Sequence, residues 1–353
     1  MKGYEGNLYL TEKEIFGQYE ALEKTYRYFR ENAGRIRKFA AKVKPQSLTW
    51  LGCGSSYCLC KSAQVSAGMR LDLPAHAVAA GDLLLNLPSY RKPLKKSLLI
   101  APSRSGETSE VVKAVRQAQK EFKNPCLSIC AREKSSLSKL SDLCLEMPWI
   151  FDESVCQTRS ITNLYAANLL LIATLAKDAR LLDEVGAAIK SGPAFVEKYR
   201  GVLKELGGER SWNQVVVLAD SELCGIAEAG ALSFKEICAA PSNYYHLLDV
   251  RHGPIVVIDD WTLVIMACNR NGIDFQKDLL KDLKKKSPLL LTVSHKHGNF
   301  WGSDYSLQIP SFKNFGVAGI PFAFIAQAVS LYRAIARGIN PDLPSGLAPW
   351  IKL

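Results

Sequence analysis

Apolar residues recur along the chain in two patterns whose alternation predicts the fold. Short apolar runs of strand length lie at 47–54, 96–103 and 125–132, and helically spaced segments such as "ETSEVVKAVRQAQKEF" separate them. Residues 11–44 carry apolar positions at helical spacing and predict one or two helices. Strands that alternate with helices predict an α/β fold: a parallel, doubly wound sheet with helices on both faces, in three layers.

The second half of the chain repeats the order of the first. A strand at 213–221 opens it, and Cys53 falls opposite Asp220 while Ser103 falls opposite Arg270, both at a shift of 167. This repeat predicts two copies of one α/β unit. The expected organisation is an N-terminal helical segment, a first unit, a helical linker, a second unit and a C-terminal tail, at 1–44, 45–176, 177–208, 209–340 and 341–353.

Two long apolar segments predict buried helices. "RSITNLYAANLLLIATLAKDARL" reads as one long helix, and "NFGVAGIPFAFIAQAVSLY" has no charged residue. The second segment contains Pro321, Gln327 and Ser330, which favour a helix packed on a sheet over one that crosses a membrane. No membrane partner is expected.

The net charge of +11 does not by itself indicate a nucleic-acid partner. The densest basic run, residues 276–287, alternates leucines with charges as on a solvated amphipathic helix. No nucleic-acid module or basic–aromatic interleaving accompanies it, so no nucleic-acid partner is expected. The competing interpretation predicts that DNA retention falls steeply with salt.

The ten cysteines do not form a recognisable framework. They lie mostly inside apolar runs, without paired C-x-x-C motifs or histidines at zinc-ligand spacing, so free buried thiols are expected. Residues His295–His297 read as a surface turn rather than a metal site. This cysteine usage suits a reducing compartment, and we expect a cytoplasmic protein with no metal ion.

Two loops at predicted strand ends carry the residues of a phosphate site. One loop contains Gly54, Ser55 and Ser56, and the other contains Ser103, Arg104, Ser105 and Thr108. Each leads into a helix N-terminus, where free N–H groups and the helix dipole favour an anion. The alternative is that Ser105 only caps its helix, which accounts for one hydroxyl and leaves the others unexplained.

Other ligand motifs fit these loops less well. "GCGSSY" lacks the third glycine of a dinucleotide-binding loop, and neither loop is followed by the lysine of a nucleotide-binding P-loop. The chain also has no G-x-S-x-G elbow, so a serine hydrolase is not expected.

Four motifs together resemble one family. "GCGSSY", "SRSGET", "ALSFKEI" and "DVRHGP", in this order, resemble the sugar isomerase (SIS) domain family. The resemblance covers nearly the whole chain and implies two tandem SIS domains. It is strongest to the isomerase half of glutamine–fructose-6-phosphate aminotransferase and to amino-sugar-phosphate deaminases, isomerases and fructosamine-6-phosphate deglycases.

The resemblance assigns roles to the residues of the loops. It implies that the two serine-bearing loops hold a sugar 6-phosphate, and that Gln157 and Thr158 contact the sugar, although the match there is one residue shorter. Glu236 matches the base that moves a proton between C1 and C2 of the open-chain sugar. The alternative is an exposed helix glutamate paired with Lys235 or another neighbour.

His252 and the tail complete the implied site. The matching histidine helps to open the sugar ring and can come from a neighbouring subunit, so a homodimer is implied; the alternative is a loop histidine bonded to backbone. Pro349 stands where the aminotransferases have a lysine, and Lys352 lies three residues further on. A covalent lysine–ketose step is therefore not expected.

The expected function is an enzyme that processes an amino-sugar or ketosamine 6-phosphate by proton transfer at C1 and C2. Deaminase or deglycase activity is slightly preferred over plain isomerisation. A carboxylate, a histidine and a phosphate anchor suffice for this chemistry, so no cofactor is expected. The alternative is a non-catalytic phosphosugar-binding regulator, which the presence of both Glu236 and His252 disfavours.

Overall fold

The computed structural model describes residues 9–351. Within that range the helices are α1 Leu10–Phe16, α2 Gln18–Val43, α3 Gly54–Gly68, α4 Ala80–Leu85, α5 Arg91–Leu94, α6 Ser109–Phe122, α7 Ser136–Leu140, α8 Arg159–Ala176, α9 Ala179–Gly208, α10 Cys224–Cys238, α11 Ile273–Lys284 and α12 Gly319–Ala336. The strands are β1 Ser47–Gly52, β2 Ala75–Ala79, β3 Ser97–Ser103, β4 Cys126–Cys130, β5 Leu143–Glu146, β6 Gln214–Leu218, β7 Ser242–Tyr245, β8 Thr262–Ala267, β9 Leu289–Ser294 and β10 Tyr305–Gln308.

The strands form two five-stranded sheets with the same topology. The first has the order β2-β1-β3-β4-β5, and the second, read in the same direction, is β7-β6-β8-β9-β10. All pairs are parallel, as in Trp50 opposite Ile100 and Val217 opposite Ile265. This order is that of a doubly wound sheet, so the prediction of parallel α/β sheets flanked by helices is confirmed.

Each sheet is buried on both faces because successive side chains of a strand point to opposite sides. In β1, Trp50 faces a central apolar cluster, while Leu51 faces an outer cluster with α4 and α6. The second sheet packs its outer face on α11 through Leu279 and Leu283. The central cluster is continuous between the sheets and includes residues of α2, α3, α8, α9, α10 and α12.

Helix α12 is long and apolar enough to cross a membrane. The stretch Phe315–Ala336 passes that test of length and composition, but 94% of its most apolar window is buried inside the protein. It packs on α9 and α10, which confirms the prediction of a buried helix. All ten cysteines are free and eight are buried, as expected.

Two sequence predictions are wrong in detail. The single helix expected from Arg159 to Leu181 is broken, because Lys177 adopts a left-handed conformation and the Asp178 side chain caps α9 by accepting from the Leu181 N–H. The strand β7 was not predicted, since it has only four residues and is mostly polar and aromatic. The first eight residues of the expected N-terminal segment lie outside the described residues.

A buried ion pair joins the first half of the chain to the second. The Arg70 guanidinium, at the end of α3, lies 2.6 Å from the Glu222 carboxylate, which precedes α10. Arg70 also donates to Asn314 Oδ1 at 2.8 Å, and Glu222 accepts from the Gly316 N–H. The two sheets are therefore held together by paired charges as well as by apolar packing.

Candidate active site

The loop after β3 is a tight turn that holds its hydroxyls close together. Ser103 Oγ accepts from the Gly106 N–H at 2.9 Å, and Ser105 Oγ accepts from the Glu107 N–H at 3.1 Å. Thr108 Oγ1 lies 3.5 Å from Ser105 Oγ. Gly106 has a positive φ of 62°, and a Cβ there would lie 2.1 Å from Ser135 Oγ. The glycine therefore lets this loop pack against the start of α7.

These hydroxyls line a small cavity at the carboxyl edge of the first sheet. It has a volume of about 30 Å³, and its walls are formed by Cys53, Ser56, Pro102, Ser103, Arg104, Ser105, Thr108, Val111, Gln157 and Pro349. The loops after β1 and β3 therefore converge, as the sequence predicts. Pro349 forms one wall, so the C-terminal tail lies over the cavity in this conformation.

Gly54 and Ser55 do not line this cavity directly. Gly54 has a positive φ of 54° and opens α3, and its neighbours Ser55 and Ser56 are buried. No side chain caps the N-terminus of α3. N–H groups at the start of a helix that have no capping partner are suited to an anion.

Arg104 is buried and holds three backbone carbonyls. Its guanidinium donates to the carbonyl oxygens of Ser154 at 3.1 Å, Val155 at 2.9 Å and Pro349 at 2.6 Å. Its Nε has no hydrogen-bond partner among the described residues. Arg104 therefore ties both the 152–158 loop and the tail to the cavity, a role that the sequence did not indicate.

Gln157 and Thr158 take different positions. Gln157 lines the cavity, and its Oε1 accepts from Ser160 Oγ at 3.3 Å. Thr158 is fully buried and donates from its N–H and its hydroxyl to the Asp152 carboxylate. The Thr158 side chain thus supports the loop and does not line the cavity.

A buried glutamate on α1 supports the same loop. The Glu14 carboxylate accepts from the N–H groups of Glu153 and Ser154 and from the Ser154 hydroxyl. Burial and the nearby Asp152 carboxylate raise the pKa of Glu14 to about 7, although the bonds from Ser154 oppose the shift. Sequence reasoning missed this residue, because a glutamate in an amphipathic helix usually faces solvent.

Glu236 lies on α10 close to Arg104. Within residues 9–351 its carboxylate has no hydrogen bond and no ion pair, and Lys235 beside it is exposed. Burial raises the pKa of Glu236 to about 7, and the Arg104 guanidinium lowers it. A half-buried carboxylate that titrates near neutral pH and has no partner is suited to take and return a proton.

Helices α3 and α10 are in close contact, which sets the position of Glu236 relative to the loops. A Cβ at Gly225 would lie 1.8 Å from the Cys58 carbonyl oxygen, so only glycine allows this approach. Ser62 Oγ of α3 accepts from the N–H groups of Gly225 at 3.0 Å and Ile226 at 3.1 Å. A side chain of α3 thus caps the N-terminus of α10.

His252 lies on a different element from Glu236 and does not line the cavity. It is exposed in a loop after the turn Asp249–Arg251, and its N–H donates to the Asp249 carbonyl at 2.9 Å. Among residues 9–351 its imidazole forms no hydrogen bond and no ion pair. Val256 and Trp261, which follow in the sequence, expose 74% and 53% of their surface.

No donor set for a metal ion is found in residues 9–351. His295 and Lys296 lie in a bend after β9, as expected for a surface turn. The polar side chains that line the cavity are four hydroxyls, the Gln157 amide, the Arg104 guanidinium and the Cys53 thiol, and the hydrogen-bond donors among them suit an anion.

Fold and cavity define an α/β protein with two parallel five-stranded sheets and a hydroxyl-lined cleft at the carboxyl edge of the first. Residues 43–174 match the SIS domain family. These residues form a SIS domain, and the chain is homologous to glutamine–fructose-6-phosphate aminotransferases.

Individual relatives extend this assignment. The glutamine–fructose-6-phosphate aminotransferase of Haemophilus influenzae is 28% identical over 86% of this chain and 51% of its own length. The solved glucosamine-6-phosphate deaminase of Thermotoga maritima is 26% identical, with a TM-score of 0.80 over 98% of this chain and 100% of that one. Tagatose-6-phosphate ketose/aldose isomerase of Escherichia coli is 22% identical, with a TM-score of 0.86 over 97% of both chains, a likeness of fold alone. The chain spans between half and three fifths of the length of the curated relatives that it matches.

Proposed function

We propose that the chain is an enzyme that moves a proton between C1 and C2 of an amino-sugar or ketosamine 6-phosphate. The observation that carries the proposal is the Glu236 carboxylate, which has no partner among residues 9–351 and interacts with Arg104, one of the residues that line the cavity of four hydroxyls. Similarity to glutamine–fructose-6-phosphate aminotransferases and to a glucosamine-6-phosphate deaminase supports the substrate class.

The proposed mechanism begins with the phosphate. Ser56, Ser103, Ser105 and Thr108 would donate hydroxyl hydrogen bonds to the phosphate oxygens, and the start of α3 would add N–H groups, as would Ser55. Arg104 would contribute its charge while it holds the neighbouring loop. Pro349 forms one wall of the cavity, so a bound phosphate would lie next to the C-terminal tail.

Glu236 would act as the base on the carbon chain. In the open-chain sugar, its carboxylate takes the proton from one of the two carbons and returns it to the other, while the carbonyl and hydroxyl oxygens exchange roles. In a substrate aldose with an amino group at C2, or a substrate ketose with one at C1, this proton transfer converts the amine into a C=N group. Water then adds to that imine carbon and the C–N bond breaks, which releases ammonia or the amine and leaves a carbonyl, so the same base would serve deaminase or deglycase activity. Residue 349 is proline, and Lys352 lies outside the described residues, so no covalent lysine step is included.

His252 would complete the site from a second subunit. Its imidazole is free and exposed, and the exposed Val256 and Trp261 beside it offer apolar surface for contact between chains. A homodimer that buries this surface would carry His252 to the partner's sugar for ring opening. The second α/β unit, with the same strand order as the first, is proposed as a second SIS domain.

The test compares the wild-type protein with Glu236→Gln across hexosamine and ketosamine 6-phosphates. Deuterium exchange at C1 and C2, followed by NMR, and release of ammonia or amino acid report turnover. We expect a loss of at least about 10²-fold in Glu236→Gln, the usual contribution of a general base, with phosphosugar affinity retained. Glu121→Gln, on the exposed surface of α6, is the matched control. If no sugar is turned over and both proteins bind the same phosphosugar equally, the chain is a regulator.

A further inference from the structure

A larger cavity lies away from the candidate active site, where α2 meets the corner between α8 and α9. It has a volume of about 460 Å³, which is in the range of small-molecule sites. We name it the corner cavity. It is lined by Phe29, Arg30, Ala33, Arg37, Ala173, Thr174, Lys177, Asp178, Ala179 and Leu182.

The floor of the corner cavity is apolar. Phe29 is fully buried beneath it, and alanines from three helices form much of the wall. The one hydroxyl of the lining, Thr174 Oγ1, already donates to the Leu170 carbonyl at 2.7 Å. A sugar would find few hydrogen-bond partners on this floor, whereas an aromatic or aliphatic group would fit it.

Three cations surround this apolar floor without acidic partners. Arg30, Arg37 and Lys177 form no ion pair with any residue in 9–351. The one acid of the lining, Asp178, accepts from the Leu181 N–H and lies 3.8 Å from Arg70 Nε. The cavity therefore presents an excess of positive charge around an apolar surface.

We propose that the corner cavity binds a small organic anion with an aromatic or aliphatic body. The body would pack on Ala33, Ala179 and Leu182 above the buried Phe29, and its carboxylate, sulfonate or phosphate would face the three cations. The site is separate from the candidate active site. Helix α8 begins beside Gln157 and ends at the corner cavity, so its 18 residues place the two about 27 Å apart.

The test uses 1-anilinonaphthalene-8-sulfonate, whose fluorescence rises when its rings leave water. We expect saturable binding of one molecule per chain, displaced by benzoate and not by the neutral benzamide. Replacing Arg30, Arg37 and Lys177 together with glutamine should weaken binding by about tenfold or more. The same change at Lys38, Lys42 and Lys204, three exposed cations outside the cavity, should change it by less than about twofold.

A second variant tests whether the probe needs the space of the corner cavity as well as its positive charge. Ala33→Trp keeps every cation and fills the cavity, so it should abolish binding while thermal unfolding confirms that the variant is folded. Equal binding by the wild type, the cavity triple variant and Ala33→Trp would overturn the proposal, as would equal losses in the two triple variants. Displacement by benzamide as strong as by benzoate would overturn the requirement for an anion. If glucosamine 6-phosphate displaced the probe, the probe would be bound in the candidate active site and not in the corner cavity, and the proposal would be overturned.

Discussion

Replacement of Gly225 by alanine tests how the two helices that carry the site are held. The new Cβ would lie 1.8 Å from the Cys58 carbonyl oxygen and 2.8 Å from the Ser62 nitrogen, where contacts under 3.0 Å are essentially never found. The obstructing atoms are backbone, so no side-chain rotation relieves the clash. Helices α3 and α10 must separate by more than 1 Å locally.

The cost follows from the two interactions that this separation disturbs. Overpacking a close helix contact costs about 1–3 kcal/mol. The Ser62 hydroxyl also moves away from the two N–H groups that it caps, which adds about 1–2 kcal/mol. Alanine recovers about 1 kcal/mol by its better helix propensity. We expect a net loss of about 1–4 kcal/mol in the free energy of unfolding.

The assay measures thermal and urea unfolding together with phosphosugar turnover. Gly34→Ala is the matched control, because Gly34 is in the exposed part of α2 and a Cβ there meets nothing within 4 Å. It should stabilise by about 0.5–1 kcal/mol. Turnover should fall in Gly225→Ala because separation of the two helices would move Ser55 and Ser56, which lie on α3, relative to Glu236, which lies on α10. If Gly225→Ala had the stability and turnover of the wild type, helices α3 and α10 could not lie as close together as described at Gly225 and Cys58.

Three further predictions concern the pH profile, the ion pair and the phosphate loop. The pKa of Glu236 is about 7 in the fold against 4.5 outside it, so kcat/KM should rise from pH 6 to 8 as the base ionises. The same group should lower the stability as pH rises from 4.5 to 7, and Glu236→Gln should remove both effects. Arg70→Met leaves the buried Glu222 without its cation and should cost about 3–5 kcal/mol in urea unfolding, whereas Arg27→Met, at an exposed pair, should cost under about 1 kcal/mol. Gly106→Ala should weaken phosphosugar binding, measured by calorimetry, because its Cβ would meet Ser135 at 2.1 Å; binding equal to wild type would contradict the described turn.

Sequence patterns predicted the central strands because these are buried on both faces. β3 and β4 are entirely buried, and strands of this kind consist mostly of apolar residues. Such apolar runs predict strands from the sequence alone. The two serine-bearing loops were also predictable, since parallel strands bring their carboxyl ends to one edge. The short, partly polar β7 left no comparable pattern, and the break at Lys177 depends on one left-handed residue.

Side-chain roles that depend on distant partners required the tertiary structure. Arg104 was expected to face a phosphate, yet its guanidinium holds carbonyls up to 245 positions away in the chain. Glu14 supports a loop about 140 residues later, and Gly225 is constrained by a carbonyl of another helix. The sequence by itself determined the layers, the parallel α/β character of each unit and the types of residue at the strand ends. Which of these side chains face the cavity and which hold the backbone was decided by packing, because hydrogen bonds and close contacts between distant segments leave no periodic trace along the chain.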